Sequence, residues 1–228
     1  QNRSSRKQEP GTTWKATRNR KGCKKMPVVK EREYRALAAP LSAAAAAKRI
    51  QTDYYVEGYA TTFNSPYLLF EFSDGWKYYE RIDGHALDGA DMNDVIMQYD
   101  HTGRVFARTG KTKSLIIQPD NVGLFVCADL GRTDAARGLY QDIAAELVTK
   151  MSWAFVVAKD SITEDRNART ITRDVLEIKK VYDVSADSRP ANEDTEISAR
   201  NIATRSYEQL QAEYLERRAK LLRIKTLL

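Results

Sequence analysis

With 228 residues, 42% of them hydrophobic and 30% charged, the chain can build one sizeable domain with extensions, or two small domains. Cys23 and Cys127 give neither a disulfide framework nor a zinc spacing, and no window approaches the roughly 18 apolar residues of a membrane-spanning helix. The formal charge of +6 is lopsided: residues 1–50 carry 14 Lys/Arg against three Glu, whereas the remainder is mildly acidic, so a nucleic-acid-binding face on the folded body is poorly supported.

Taken in order, residues 1–50 read as a flexible basic leader. Residues 1–30 have few large apolar side chains and many charges, the composition of a disordered segment. Arg32 to Arg49 is Ala-rich, transiently helical at most, and interrupted by Pro40. Order is predicted from about Asp53, where Tyr54 to Phe63 is β-rich and Asn64-Ser65-Pro66 closes it with turn residues. Trp76 to Ile82 is a second strand, and Asp83 to Asp94 a loop with a short helix. Val95 to Tyr99 is a short apolar strand that delivers Asp100 and His101 to its end. Val105 to Arg108, Ser114 to Gln118 and Gly123 to Leu130 follow as strands, the last two joined at Pro119-Asp120-Asn121.

From Thr133 to Lys150 the period changes. Ala136, Leu139, Tyr140, Ile143 and Leu147 recur at three- and four-residue spacing behind Thr133, a capping residue, so a helix is predicted. It feeds Lys150 to Val157, where Trp153, Phe155 and Val157 alternate with Ser152, Ala154 and Val156. That period puts a small hydroxyl residue on the face opposite the large side chains. Thr170 to Ile178 is a further strand, continued or followed by Val181 to Val184. Thr204 to Leu228 is a second helix, with Tyr207, Leu210, Tyr214, Leu221, Ile224 and Leu228 at heptad-like spacing. The sum, about seven or eight strands and two helices, is an α+β, mainly antiparallel architecture. It divides into the leader 1–50, a body 51–200 and a helical extension 201–228 that packs on the body or self-associates.

Several chemistries fail on spacing. Gly110-Lys111-Thr112 lacks the upstream glycine of a phosphate-binding loop, since Val105 stands there, and no Gly-x-Ser-x-Gly elbow is present. With two histidines and no ligand pattern, neither a metal nor another cofactor is expected. A Ser–His pairing survives. Any imidazole base is His85, in a Gly/Asp loop, or His101, directly after an apolar strand. A serine hydroxyl becomes a useful nucleophile only when an adjacent base takes its proton and a third group orients that base.

Five stretches together resemble the prohead (capsid maturation) proteases of tailed phages, distant relatives of the herpesvirus assembly protease. Val56 to Asn64 is similar to the family's opening "veGyAxxFn", and Tyr79 to Ala86 to its "ErIdpGaf". Gln98 to His101, with Ala107-Arg108-Thr109, stands in the place of "NHD…GRT". Met151 to Phe155 corresponds to "MSfgF", and Arg169-Thr170-Ile171 to Glu177 to the closing "RtI…LlEvS" strand. The likeness spans roughly residues 53–195. It departs where Thr102 replaces the Asp after the His and Lys150 the Gly before Met-Ser.

The resemblance implies a barrel-like, herpesvirus-protease-like core and a serine endopeptidase. Its substrates would be the major capsid protein or a scaffold precursor, and itself, inside a procapsid assembled in the host cytoplasm. Ser152 would be the nucleophile, His101 the base and Glu177 its orienter, with Asp160 and Asp174 as alternatives for the third role. Two other readings stay open: a non-catalytic capsid scaffold on the same fold, and nucleic-acid binding through the basic arm.

Overall fold

In a computed structural model of the chain, the described residues are 32–43, 47–187 and 193–226. Residues 31–228 form one compact unit. The disorder expected of residues 1–30, and any role of that arm in nucleic-acid binding, lies outside the described residues.

Among the described residues, ten strands and two α-helices make an α+β fold in two sheets. The strands are β1 (Glu33–Pro40), β2 (Tyr55–Thr62), β3 (Tyr67–Glu71), β4 (Lys77–Ile82), β5 (Ile96–Tyr99), β6 (Thr102–Arg108), β7 (Leu115–Pro119), β8 (Gly123–Asp129), β9 (Lys150–Asp165) and β10 (Thr170–Asp187). The helices are α1 (Asp134–Ala144) and α2 (Glu193–Thr226). A seven-stranded sheet runs β1-β9-β10-β4-β3, with β5 also paired to β10 and β6 to β5; the other sheet is β2-β8-β7. Pairing is antiparallel except where β10 runs parallel to β4 and to β5. Among the described residues no closed barrel forms, which corrects the barrel-like core expected from the resemblance.

The spine is the β9–β10 hairpin. At the base of the hairpin β9 is buried from Met151 to Val156, and it becomes exposed from Ala158 outward. Trp153 and Phe155 share one face and stack at 4.1 Å between ring centroids, inside a core that includes Ile82, Met97, Leu130 and Val184. β10 carries β4 beside Thr170–Val175 and β5 beside Asp183–Ala186. One long strand therefore sets the positions of the segments holding Glu80 and His101.

Three expectations change. The Ala-rich leader supplies β1, which pairs antiparallel with β9 from Glu33↔Phe155 to Leu37↔Met151, so order begins well before Asp53. Its residues are weak strand formers, and the pairing comes from the edge of β9, whose backbone groups need partners. The helix predicted from Thr133 to Lys150 ends at Ala144: Glu146 turns left-handed (φ 59°) and Leu147 is exposed, while Ala136, Leu139 and Ile143 face the core. Finally, α2 starts at Glu193, ahead of the expected Thr204. Tyr207 and Leu210 pack with Phe72 and Trp76, whereas Tyr214, Leu221 and Leu222 are exposed.

Candidate active site

Register brings the site together. Ser152 on β9 lies opposite Ser185 on β10. The parallel pairing of β5 with β10, Asp183↔Ile96 through Ala186↔Tyr99, carries the end of β5 to the same place. There β5 turns into β6 in two residues, Asp100 and His101, between the paired Tyr99 and Thr102. Both have positive φ, 48° and 56°, the geometry of the tight hairpin turn whose twist matches its strands. Asp and His are among the few non-glycine residues that enter this region readily, although it remains a strained conformation. The Asp100 N–H donates to the Ala186 carbonyl at 3.0 Å and ties the turn to β10. His101 is thus held on a rigid turn rather than on a loose loop.

The imidazole spans two partners. Its Nε2 lies 2.5 Å from Ser152 Oγ, and its Nδ1 is hydrogen-bonded to Asp183 Oδ1. A carboxylate only accepts, so Nδ1 carries the proton and the Nε2 lone pair faces the serine hydroxyl. Ser185 Oγ donates to Asp183 Oδ1 at 3.0 Å and lies 3.2 Å from His101 Nδ1, steadying the carboxylate. All of this is buried: Ser152 is 0% exposed, Asp183 2% and Ser185 0%. A hydroxyl, an imidazole and a carboxylate in this chain can pass the serine proton to Nε2 while the carboxylate stabilises the imidazolium.

The structure brings Ser152 and His101 together and does not bring Glu177 to them. The Glu177 side chain is 60% exposed and pairs with Lys159 at 3.4 Å. Asp160 binds Arg173 Nε and Asp174 binds Arg81 Nε, each at 2.6 Å. The carboxylate that reaches His101 is that of Asp183, which the sequence reading did not single out. The signal was a lone Asp between Tyr182 and Val184, in a run too apolar for an unpaired carboxylate. His85 is an exposed side chain paired with Asp88.

Next to the triad lies a second buried polar cluster that includes the leader strand. Arg35 of β1, 1% exposed, grips Glu80 of β4 through two bonds, Nε to Oε1 at 2.6 Å and Nη2 to Oε2 at 2.8 Å. Glu33 of β1 receives both terminal nitrogens of Arg173, at 2.6 and 2.9 Å. Tyr67 donates to Glu80 Oε1 at 2.5 Å, and Arg173 to Oε2 at 2.9 Å. Burial alone would raise the Glu80 carboxyl; the guanidiniums of Arg35 and Arg173 and the Tyr67 hydroxyl outweigh it and hold it down to about 2. For Arg35, burial works to lower its pKa, and Glu80 and Glu33 outweigh it in the opposite direction. Alternating charges of this kind are stable only as a complete set, because removing one leaves a buried charge unpaired.

No curated protein and no solved structure matches the chain. The family model described as caudovirus prohead serine protease matches residues 43–212. That span holds Ser152, His101, Asp183 and Glu80 and leaves β1 outside it. On that match over most of its length, the chain belongs to the caudovirus prohead serine protease family.

Proposed function

We propose that the chain is a serine endopeptidase that cleaves a scaffold or capsid precursor, and itself, within the procapsid of a tailed phage. Ser152 attacks the peptide carbonyl as His101 Nε2 takes its proton; His101 then returns that proton to the leaving amine. Asp183 holds the imidazole in the required tautomer, and Ser185 positions Asp183. A water molecule hydrolyses the acyl-enzyme by the same route, so the reaction needs no cofactor. The observation that carries this reading is the unbroken Ser152–His101–Asp183 hydrogen-bonded chain.

The membership in a prohead protease family supports capsid or scaffold proteins as substrates and the procapsid as the place of action. Self-association through α2 is a further part of the proposal, motivated by exposed Leu215, Leu221 and Leu222. The test is a fluorophosphonate probe, which esterifies only an activated serine, with the labelled peptide mapped. Labelling of Ser152 that His101→Ala abolishes and His85→Ala leaves intact is the expected result. Labelling unaffected by His101→Ala would overturn the assignment.

A further inference from the structure

The sealed nucleophile raises a question of access, because a serine that is 0% exposed meets no external substrate. What lies against it is the chain's own leader. The carbonyl oxygen of Arg35 is 2.9 Å from Ser152 Oγ, and Ala36 is its register partner across β1 and β9. The one proton of the Ser152 hydroxyl has two acceptors in reach, the Arg35 carbonyl oxygen to which it donates at 2.9 Å and the Nε2 lone pair at 2.5 Å. Once that proton passes to Nε2, Oγ is left with a free lone pair against the Arg35 carbonyl group.

The side chains around that carbonyl are seated one by one. Alternation along a strand sends Arg35 and Glu33 to one side and Tyr34 and Arg32 to the other. Arg35 enters the Glu80–Tyr67 pocket with a bidentate pairing, and Glu33 meets Arg173. The Tyr34 ring stands edge-on to the His101 ring at 4.8 Å, and the Arg32 guanidinium lies over the Tyr182 ring at 3.7 Å. Four successive leader residues thus have partners on the body. The chain is pinned again just downstream, where Leu41 N–H donates to the Thr149 carbonyl and Ser42 pairs with Glu57. A strand held on both sides of one carbonyl, with that carbonyl on the nucleophile, is laid out as a substrate. It also lies upstream of the family's matched span, which begins at residue 43.

Resting on the protease reading above, we infer that β1 is an intramolecular substrate that blocks the cleft until Ser152 cuts between Arg35 and Ala36, and that the cleft selects an extended segment with an acidic residue two positions before a basic one. Ser152 Oγ adds to the Arg35 carbonyl carbon as its proton passes to His101 Nε2. The Arg35–Ala36 C–N bond then breaks, and the proton moves from Nε2 to the Ala36 nitrogen. Water hydrolyses the Arg35 ester, leaving residues 1–35 with a C-terminal carboxylate and restoring the serine. The cut ends the continuity of β1 at Arg35, so the leader is no longer held from both sides and can depart and open the site.

The test follows the full chain by intact mass and N-terminal sequencing after purification. The parent is expected to yield a new N-terminus at Ala36, at a first-order rate independent of protein concentration, and Ser152→Ala to remain whole. Arg35→Lys keeps the charge but not the fork and should slow the cut about tenfold; Arg35→Glu, set against Glu80, should slow it at least a hundredfold while exposing Ser152 to the fluorophosphonate. A parent that stays uncut or is cut elsewhere, with Ser152 labelled, overturns the leader assignment and leaves the protease reading standing. An uncut parent in which only Arg35→Glu is labelled shows a plug rather than a substrate and also overturns it. Absence of both cutting and labelling in parent and Arg35→Glu overturns both readings.

Discussion

The proposed third catalytic role goes to the carboxylate that faces the imidazole, and Asp183 and Glu177 separate cleanly in experiment. Asp183→Asn preserves shape but cannot accept the Nδ1–H and compensate an imidazolium at once, so turnover should fall by about 10³–10⁴-fold with the fold intact. Glu177→Gln, at an exposed site beside Lys159, should leave the rate within about twofold. Self-cleavage followed on gels measures both; a dead Glu177→Gln with an active Asp183→Asn would reverse the assignment. Ser152 and His101 were legible because each stands out locally, one as a hydroxyl in an apolar run and the other as an imidazole closing a strand. Asp183 was not, since counting faces along β10 fails. Its register against β9 shifts four times between Val175 and Asp183, and each irregularity breaks the two-residue alternation.

At the scale of elements, local signals predicted what local forces build. Thr133 caps α1 by accepting the Ala136 N–H at 3.1 Å, as its position before the apolar period required. Thr133→Ala should cost about 1 kcal/mol, seen as a fall in melting temperature of roughly 2–4 °C for a chain of this size. A change below about half a degree would mean the cap is not stabilising. The hairpin at Asp120 was legible for the same reason: its carboxylate accepts the N–H groups of Val122 and Gly123 at 2.8 and 3.0 Å. The elements that were missed are those imposed from elsewhere. Apart from Tyr34 and Pro40, β1 is built from Ala, Glu, Arg and Leu, residues that favour helix, and it becomes a strand because β9 presents an edge and Glu80 and Arg173 present charges. The extra length of α1 was expected from Leu147, whose spacing fits, but the chain must leave the helix by Glu146 to enter the nucleophile strand. Tertiary demand overrides propensity in both cases.

For the whole molecule, the leader's ion network makes docking of the strand pH-dependent. The Glu80 carboxyl falls from its ordinary 4.5 to about 2, worth roughly 3 kcal/mol at about 1.4 kcal/mol per pH unit. A depressed carboxyl stabilises the folded state above its unfolded value and loses that contribution as pH falls through its folded value. Urea unfolding of the uncut Ser152→Ala chain should therefore weaken progressively from about pH 4.5 toward pH 2, and Glu80→Gln should flatten that part of the curve. The leader's sequence also makes a prediction at the other end of the chain. The pattern Glu-x-Arg-Ala occurs at Glu33-Tyr34-Arg35-Ala36 and again at Glu216-Arg217-Arg218-Ala219, beyond the family's span at its downstream side. There it is held in α2, where residues 212–223 are exposed and Lys220 bonds Glu216 within the helix. A helical segment does not fit a cleft that reads an extended strand, but an exposed helix end opens at little cost. An opened site with the right charges should then be cut in trans, more slowly than the docked leader and at a rate rising with protein concentration. The expected product ends at Arg218, forms only after residues 1–35 have left, and disappears in Arg218→Glu while the Ala36 cut persists. Mass spectrometry over a concentration series decides it: a chain that loses its leader but keeps residues 219–228 at every concentration would show that the charge pattern alone does not define the substrate.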